Sequence, residues 1–267
     1  MIPGNAGHHS CVQAVVLAGG KGRRLLPYTT SFPKPLMPLG ERPILEIVLL
    51  QLARDGFRNV TLAVGHLSSL IEAYFGDGSS CGVALSYLRE TSPLGTAGPL
   101  AKLSSVPENL LVMNGDILTD VDFSAFLRAH VERGAAATIM TIRQEVPIEY
   151  GVLTTDDAGL VLSYEEKPKL SVTVSGGVYA FARRALKYIP TGQRFDFPEL
   201  VLALLDRGER VATCCHTGHW LDIGRRDDYE KATELFEQRR ELFLVEEPAA
   251  QQATAQVFDH TIAGKHG

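Results

Sequence analysis

Four short runs, VQAVVLA (12–18), NVTLAV (59–64), VALSYL (83–88) and NLLVM (109–113), are almost wholly apolar and are separated by segments of helical period. Apolarity that continuous over so few residues is the pattern of strands covered on both faces, and such strands pair in parallel through crossover helices. PILEIVLLQLARD closes at Gly56, and LSSLIEAYFGDG places Leu67, Leu70, Ile71 and Tyr74 at helical spacing before glycines stop it. VDFSAFLRAHVERG (121–134) is a third helix ended by a glycine. After it the pattern changes. AAATIMTI, then YGVLTTDDAGLVLSYEE with its Asp-Ala-Gly turn, then TVSGGVYAF read as strands on short connections, followed by helices around 197–207 and 226–240. The expected class is α/β, with a Rossmann-like, mixed but mainly parallel sheet flanked by helices.

A chain of 267 residues that is 45% apolar buries a proper core, as one large domain or two closely joined halves. Its net charge of -5 is spread over interspersed acidic and basic residues, with no basic stripe for a nucleic-acid backbone and no polybasic membrane patch. A small soluble substrate fits better. No apolar run approaches the ~20 residues needed to cross a bilayer, and MIPGNAGHHSC lacks the basic start and apolar core of a signal peptide, so a cytoplasmic location is expected. Cys11, Cys81, Cys214 and Cys215 show no zinc-type spacing and read as reduced, buried, structural thiols.

Open α/β sheets bind ligands in the crevice beyond the carboxyl ends of their strands. The first strand delivers VVLAGGKGRRLLPYTTSFPKPL (15–36) to that place. A dinucleotide fingerprint fails: after Gly20 and Gly22, Leu25 stands where the third glycine belongs, and Pro27, Pro33 and Pro35 prevent a long helix. The Walker string is absent as well. Gly19, Gly20 and Gly22 let backbone N–H groups approach an anion, while Arg24 and Lys34 reach phosphate oxygens from two directions, which suits a triphosphate. Taken alone, the same residues also describe a solvated basic turn.

The whole string resembles the signature of the sugar nucleotidyltransferases, or nucleotide-sugar pyrophosphorylases: L-A-G-G-x-G-T-R-L-x-P-x-T, then P-K-P-L-x-P. It stands here as LAGGKGRRLLPYTTSFPKPLMPLGERPIL, departing at Arg23, where the family usually has threonine. SPLGTAGPL (92–100), MNGDIL (113–118), YGVL (150–153), EEKP (165–168), SGGVYAF (175–181) and HWLDIGRRDDYEKA (219–232) continue the resemblance in order, from about Val12 to Glu237. The resemblance implies the nucleotide-diphospho-sugar transferase fold over 12–240, with a nucleotide half at about 12–134 and a sugar-phosphate half at about 135–240. A flexible start (1–11) and a loose tail (241–267) without a hexapeptide-repeat domain would flank it. The resemblance also assigns residues. Arg24 and Lys34 become catalytic, Leu17, Ala18, Gly19, Gly20, Gly22, Arg23, Gly95 and Thr96 contact nucleotide, and Asn114, Gly151, Glu166, Lys167 and Gly177 contact the sugar phosphate.

Asp116 follows an apolar strand and a glycine, which puts a carboxylate where phosphates converge, and in the family an aspartate of W-x-D-x-G, here Asp222, completes a metal site. Magnesium suits one or two carboxylates plus substrate phosphates and water, and is the expected cofactor. His216, His219 and Asp222 do not make a zinc site, because H-x2-H is not the helical i, i+4 pair; these histidines and Trp220 are expected to pack around the strand that aims Asp222. Cys214 and Cys215 are strand neighbours facing opposite sides, which argues against a redox role.

A sugar 1-phosphate is already an anionic nucleophile, so the expected reaction is in-line attack on the α-phosphorus of a nucleoside triphosphate, with pyrophosphate leaving. Glu90, at the place where relatives read the base, offers two acceptors and no donor, which suits the guanine edge and makes GTP the first choice. PLGTAGPL is also similar to guanylyltransferases acting on mannose 1-phosphate and related sugars, including heptose 1-phosphate. UTP, dTTP or CTP use, transfer to another phosphorylated acceptor, and a catalytically silent relative that senses nucleotide sugars stay open. The late helices offer a homodimer surface.

Overall fold

The computed structural model describes residues 13–25 and 27–244. The side chain of Arg23, Cys11, the start 1–11 and most of the tail expected at 241–267 lie outside the described residues. In chain order the strands are β1 (Gln13–Leu17), β2 (Pro38–Leu39), β3 (Arg42–Pro43), β4 (Asn59–Val64), β5 (Ala84–Arg89), β6 (Asn109–Asn114), β7 (Ile117–Thr119), β8 (Ala137–Pro147), β9 (Val152–Thr155), β10 (Val161–Glu165), β11 (Lys169–Ala182), β12 (Val211–Cys215) and β13 (Trp220–Asp222). The α-helices are α1 (Ile44–Arg54), α2 (Ser68–Phe75), α3 (Phe123–Arg133), α4 (Phe197–Asp206), α5 (Arg226–Gln238) and α6 (Arg240–Phe243).

A seven-stranded sheet runs in the order β12-β8-β11-β6-β1-β4-β5. β1 pairs in parallel with β4 and β6, β4 with β5, and β8 with β12, while β11 is antiparallel to both of its neighbours. Strands from both halves of the chain therefore share one mixed sheet. At its centre both faces are buried. Along β1, Ala14 and Val16 point into one apolar cluster and Val15 into another; along β6, Leu111 and Met113 join the first cluster and Leu110 and Val112 the second. The alternation between two cores explains why these strands carry no polar face.

Three expectations are corrected. β5 is an edge strand with Ala84, Ser86 and Arg89 exposed, so only part of it is covered. α2 packs through Ile71 and Phe75, while Leu70 and Tyr74 are exposed and Leu67 precedes the helix in a left-handed conformation at φ 55°. Of the described cysteines only Cys81 is buried; Cys214 packs beside the core and Cys215, on the other face of edge strand β12, is exposed.

Two small ribbons shape the carboxyl end of the sheet. β7 pairs antiparallel with β13, with Asp222 opposite Ile117. β9 and β10 form a hairpin of their own, carried on the arm where the outer halves of β8 and β11 pair beyond a register shift between Ser175 and Tyr179. No helix among the described residues is long and apolar enough to cross a membrane.

Candidate active site

The site floor is the junction of two parallel neighbours, Leu17 at the end of β1 and Asn114 at the end of β6. Ala18 is buried and its N–H donates to the Ala63 carbonyl (2.8 Å), which holds the loop against β4 as it leaves the sheet. Gly19 lies so close to the next crossover that a β-carbon would stand 2.9 Å from Glu90 Oε1 and 3.4 Å from the Gly65 nitrogen, whereas Gly20 faces open space. Gly22 turns the loop back at φ +59°, a conformation costly for other residues, and its carbonyl accepts from the Thr29 hydroxyl at 2.8 Å. This closure sets Arg24 and Lys34 on two short 3-10 turns, Arg23–Leu25 and Lys34–Leu36.

Lys34 is only 7% exposed and its ammonium forms an ion pair with Asp116 Oδ2. Asp116 sits between β6 and β7, held by a hydrogen bond from Gly115 N to the Leu17 carbonyl (2.9 Å) on one side and from Ile223 N to its own carbonyl (3.0 Å) on the other. The second bond, with the β7–β13 ribbon, brings Asp222 beside it. Burial raises the Asp222 carboxyl above its ordinary range, and repulsion from Asp116 pushes it further the same way; Lys34 and Arg24 oppose both. The guanidinium of Arg24 rests on Gly224, where a β-carbon would lie 3.2 Å from Nη1. Four of the expected residues, two cations and two carboxylates, thus converge.

The β13 strand is aimed from behind. Asp120 Oδ1 accepts from His219 N (2.9 Å) and lies 2.8 Å from His216 Nε2, and the Trp220 indole N–H donates to the Gly176 carbonyl (2.7 Å). The histidines and Trp220 pack around the strand, and among the described residues no group of three or more metal-ligating side chains gathers.

In the loop after β5, Glu90 Oε2 accepts from Leu94 N (2.9 Å), leaving Oε1 toward Gly19, and burial raises this carboxyl. Gly95 and Thr96 are tied to the start of α4: Asp196 Oδ1 accepts from Thr96 N (2.8 Å), and the Thr96 hydroxyl accepts from Phe197 N (2.8 Å). Among the residues expected at the sugar phosphate, Gly177 has φ +72° and packs on Asn114, whose amide nitrogen lies 2.8 Å from the place of a β-carbon. Gly151 and Glu166 belong to the β9–β10 hairpin, where the Tyr164 hydroxyl donates to Glu166 Oε2 (2.5 Å). Lys167 follows at φ +48°, and buried Pro168 accepts from Ile148 N (2.9 Å). A left-handed lysine is uncommon and marks a corner that the surrounding structure imposes. Among the described residues no hydrogen bond or ion pair joins Glu166 or Lys167 to the Lys34–Asp116 group.

The model of a family described as nucleotidyl transferase matches residues 13–239. The chain belongs to the nucleotidyl transferase family. A UTP--glucose-1-phosphate uridylyltransferase from Synechocystis sp. is 36% identical over 83% of this chain and 62% of that protein. A mannose-1-phosphate guanylyltransferase from Mycobacterium tuberculosis is 34% identical over 83% of this chain and 64% of that protein. The chain spans about three-fifths of the length of these curated relatives. The fold also matches the crystal structure of HddC from Yersinia pseudotuberculosis with a TM-score of 0.66, over 84% of this chain and 99% of that one at 24% identity. Nucleotidyl transferases of this family generally use a divalent metal ion. The donor set fits one: Asp116 and Asp222 present hard oxygens that repel each other until a cation neutralises them, and the remaining ligands are left to substrate and water.

Three residues with evident structural work escaped the sequence reading. Asp196 was visible as the start of a D-x-x-E capping box, whose Glu199 accepts from Asp196 N (2.6 Å), but its grip on Thr96 has no local signature. Asp120, behind β13, is equally non-local. Tyr164, near the end of β10, reaches Glu166 in the bend just past that strand, a contact set by the turn of the chain at Lys167.

Proposed function

We propose that this nucleotidyl transferase joins a nucleoside triphosphate, GTP by first choice, to a sugar 1-phosphate of the mannose or heptose type, releasing pyrophosphate. The observation that carries the proposal is the convergence of Arg24, Lys34, Asp116 and Asp222 at the carboxyl ends of β1 and β6. A phosphate oxygen of the sugar 1-phosphate attacks the α-phosphorus, the new P–O bond forms in line, and the bond to the β-phosphate breaks. No protein nucleophile is needed, so catalysis rests on positioning and charge stabilisation. Arg24 holds the β- and γ-phosphates, Lys34 stabilises charge as it develops, and Lys167 guides the incoming phosphate while Glu166 binds a sugar hydroxyl. Asp116 and Asp222 would hold Mg2+, which would supply charge neutralisation of the phosphates.

The base assignment has a specific rival. One Glu90 oxygen is engaged by Leu94, so a guanine edge meets one free acceptor rather than two, and one of the relatives at 36% identity is named a uridylyltransferase. A second crystal structure of HddC is a complex with GMP-PN, which supports guanine. Pyrophosphate release by the purified protein, with GTP, UTP, dTTP, CTP and ATP crossed against a panel of sugar 1-phosphates, decides. An EDTA-sensitive signal with GTP is expected; a signal with UTP alone keeps the reaction and removes the guanine assignment, and silence over the whole panel removes the reaction.

A further inference from the structure

We infer that Tyr164 is a positioning residue for Glu166, restricting which oxygen of that carboxylate meets the sugar. The inference rests on the reading of Glu166 as a sugar ligand. Tyr164 is 61% exposed, so burial does not account for where its ring lies. Two contacts do. Its hydroxyl donates to Glu166 Oε2 at 2.5 Å, and its ring lies over Gly151, where any β-carbon would overlap the phenol oxygen and ring carbons. Tyr164 pairs with Leu153 across the hairpin, and Gly151 stands just before that strand, so the missing side chain opens the diagonal seat that the ring occupies.

On its other side the Glu166 backbone runs into the left-handed Lys167 and the buried Pro168. The carboxylate is thus held at both ends, by a hydroxyl on Oε2 and by a constrained corner behind its α-carbon. The hydrogen bond to Glu166 pushes the phenol further above its ordinary 10.0, and at neutral pH it is protonated and donates. Oε1 is left as the acceptor for substrate. A fixed single acceptor favours one orientation of sugar hydroxyl over its epimer, whereas a freely rotating carboxylate accepts either.

The test is steady-state kinetics on Tyr164→Phe, which keeps the ring over Gly151 and removes the hydroxyl, with Glu166→Ala and the double variant. The expected result for Tyr164→Phe is a roughly three- to tenfold rise in KM for the preferred sugar 1-phosphate, the size of one ordinary hydrogen bond, because solvent screens this exposed pair. With it come a kcat within about twofold, an unchanged nucleotide KM, weaker discrimination between epimeric sugar 1-phosphates and an unchanged Tm. In the Glu166→Ala background the hydroxyl should have no further effect. If Glu166→Ala raises the sugar KM but Tyr164→Phe leaves it alone, or if the two effects simply multiply, the positioning role is overturned while Glu166 keeps its assignment. If Glu166→Ala itself leaves the sugar KM unchanged, the ligand reading fails, and the inference with it.

Discussion

Lys34 and Asp116 sit on loops leaving strands whose two faces are both buried, whereas Glu166 and Lys167 sit on a hairpin whose β9 and β10 residues are all exposed. In the first region each charged group is held by backbone hydrogen bonds to its neighbours and by partners in the sheet. In the second, an isolated two-stranded ribbon, a kind of element that is marginal by itself, depends on the β8–β11 arm that carries it. The difference suits the two regions to the two tasks proposed for them. Charge stabilisation gains from groups that need no reorganisation, while recognition of one sugar among many can be placed on an element with few buried contacts, at the low-stability end of the fold.

The comparison breaks most visibly through chemistry. Lys34→Ala is expected to lower turnover by about 100-fold or more with far-UV circular dichroism unchanged, because the missing charge acts only in a preorganised setting. A folded Lys34→Ala enzyme with near-normal pyrophosphate release would remove Lys34 from the mechanism. Next comes stability. Leu62→Ala, at a fully buried β4 position, is expected to cost about 2–5 kcal/mol in urea unfolding, while Leu162→Ala on the hairpin, at 66% exposure, stays within about 0.5 kcal/mol. Equal losses would mean that the hairpin is packed against something in solution.

Glu166→Ala sharpens the contrast in kinetics. The sugar 1-phosphate KM should rise about tenfold with the Tm unmoved; a fall in nucleotide affinity instead would put the hairpin on the wrong substrate. The smallest expected effect concerns pH. The Asp222 carboxyl is raised from its ordinary 3.8 by burial and by Asp116. Its contribution to stability is therefore full below about pH 4 and is lost as pH rises through the raised value. Asp222→Asn without metal should melt roughly one to two degrees higher than the parent at neutral pH, with the gap closing in acid and on adding divalent cation. Differential scanning fluorimetry over pH checks it, and a lower melting point for Asp222→Asn would show that Asp222 stabilises the metal-free fold.

Much of this is legible in the amino-acid sequence. The strand and helix order follows from local periodicity, and the β1 loop places its glycines and cations within one short string. Less legible is which side chains of an element face the core or a neighbour. Leu70 and Tyr74 share helical spacing with Ile71, yet α2 presents Ile71 and Phe75 inward, because which stripe is buried depends on what lies beneath the helix. Gly151, expected at the sugar, also gives the Tyr164 ring its seat, a packing relation that the sequence pattern does not show.

The sequence by itself determined the order of elements and the chemical inventory of the site, since hydrophobic period and contiguous motifs act over a few residues. Only the tertiary structure decided that β11 inserts between β6 and β8, that the β7–β13 ribbon sets Asp222 beside Asp116, and that Asp196 grips Thr96 across 100 positions. Such contacts are fixed by how distant segments close on a shared core, and no local propensity encodes that closure.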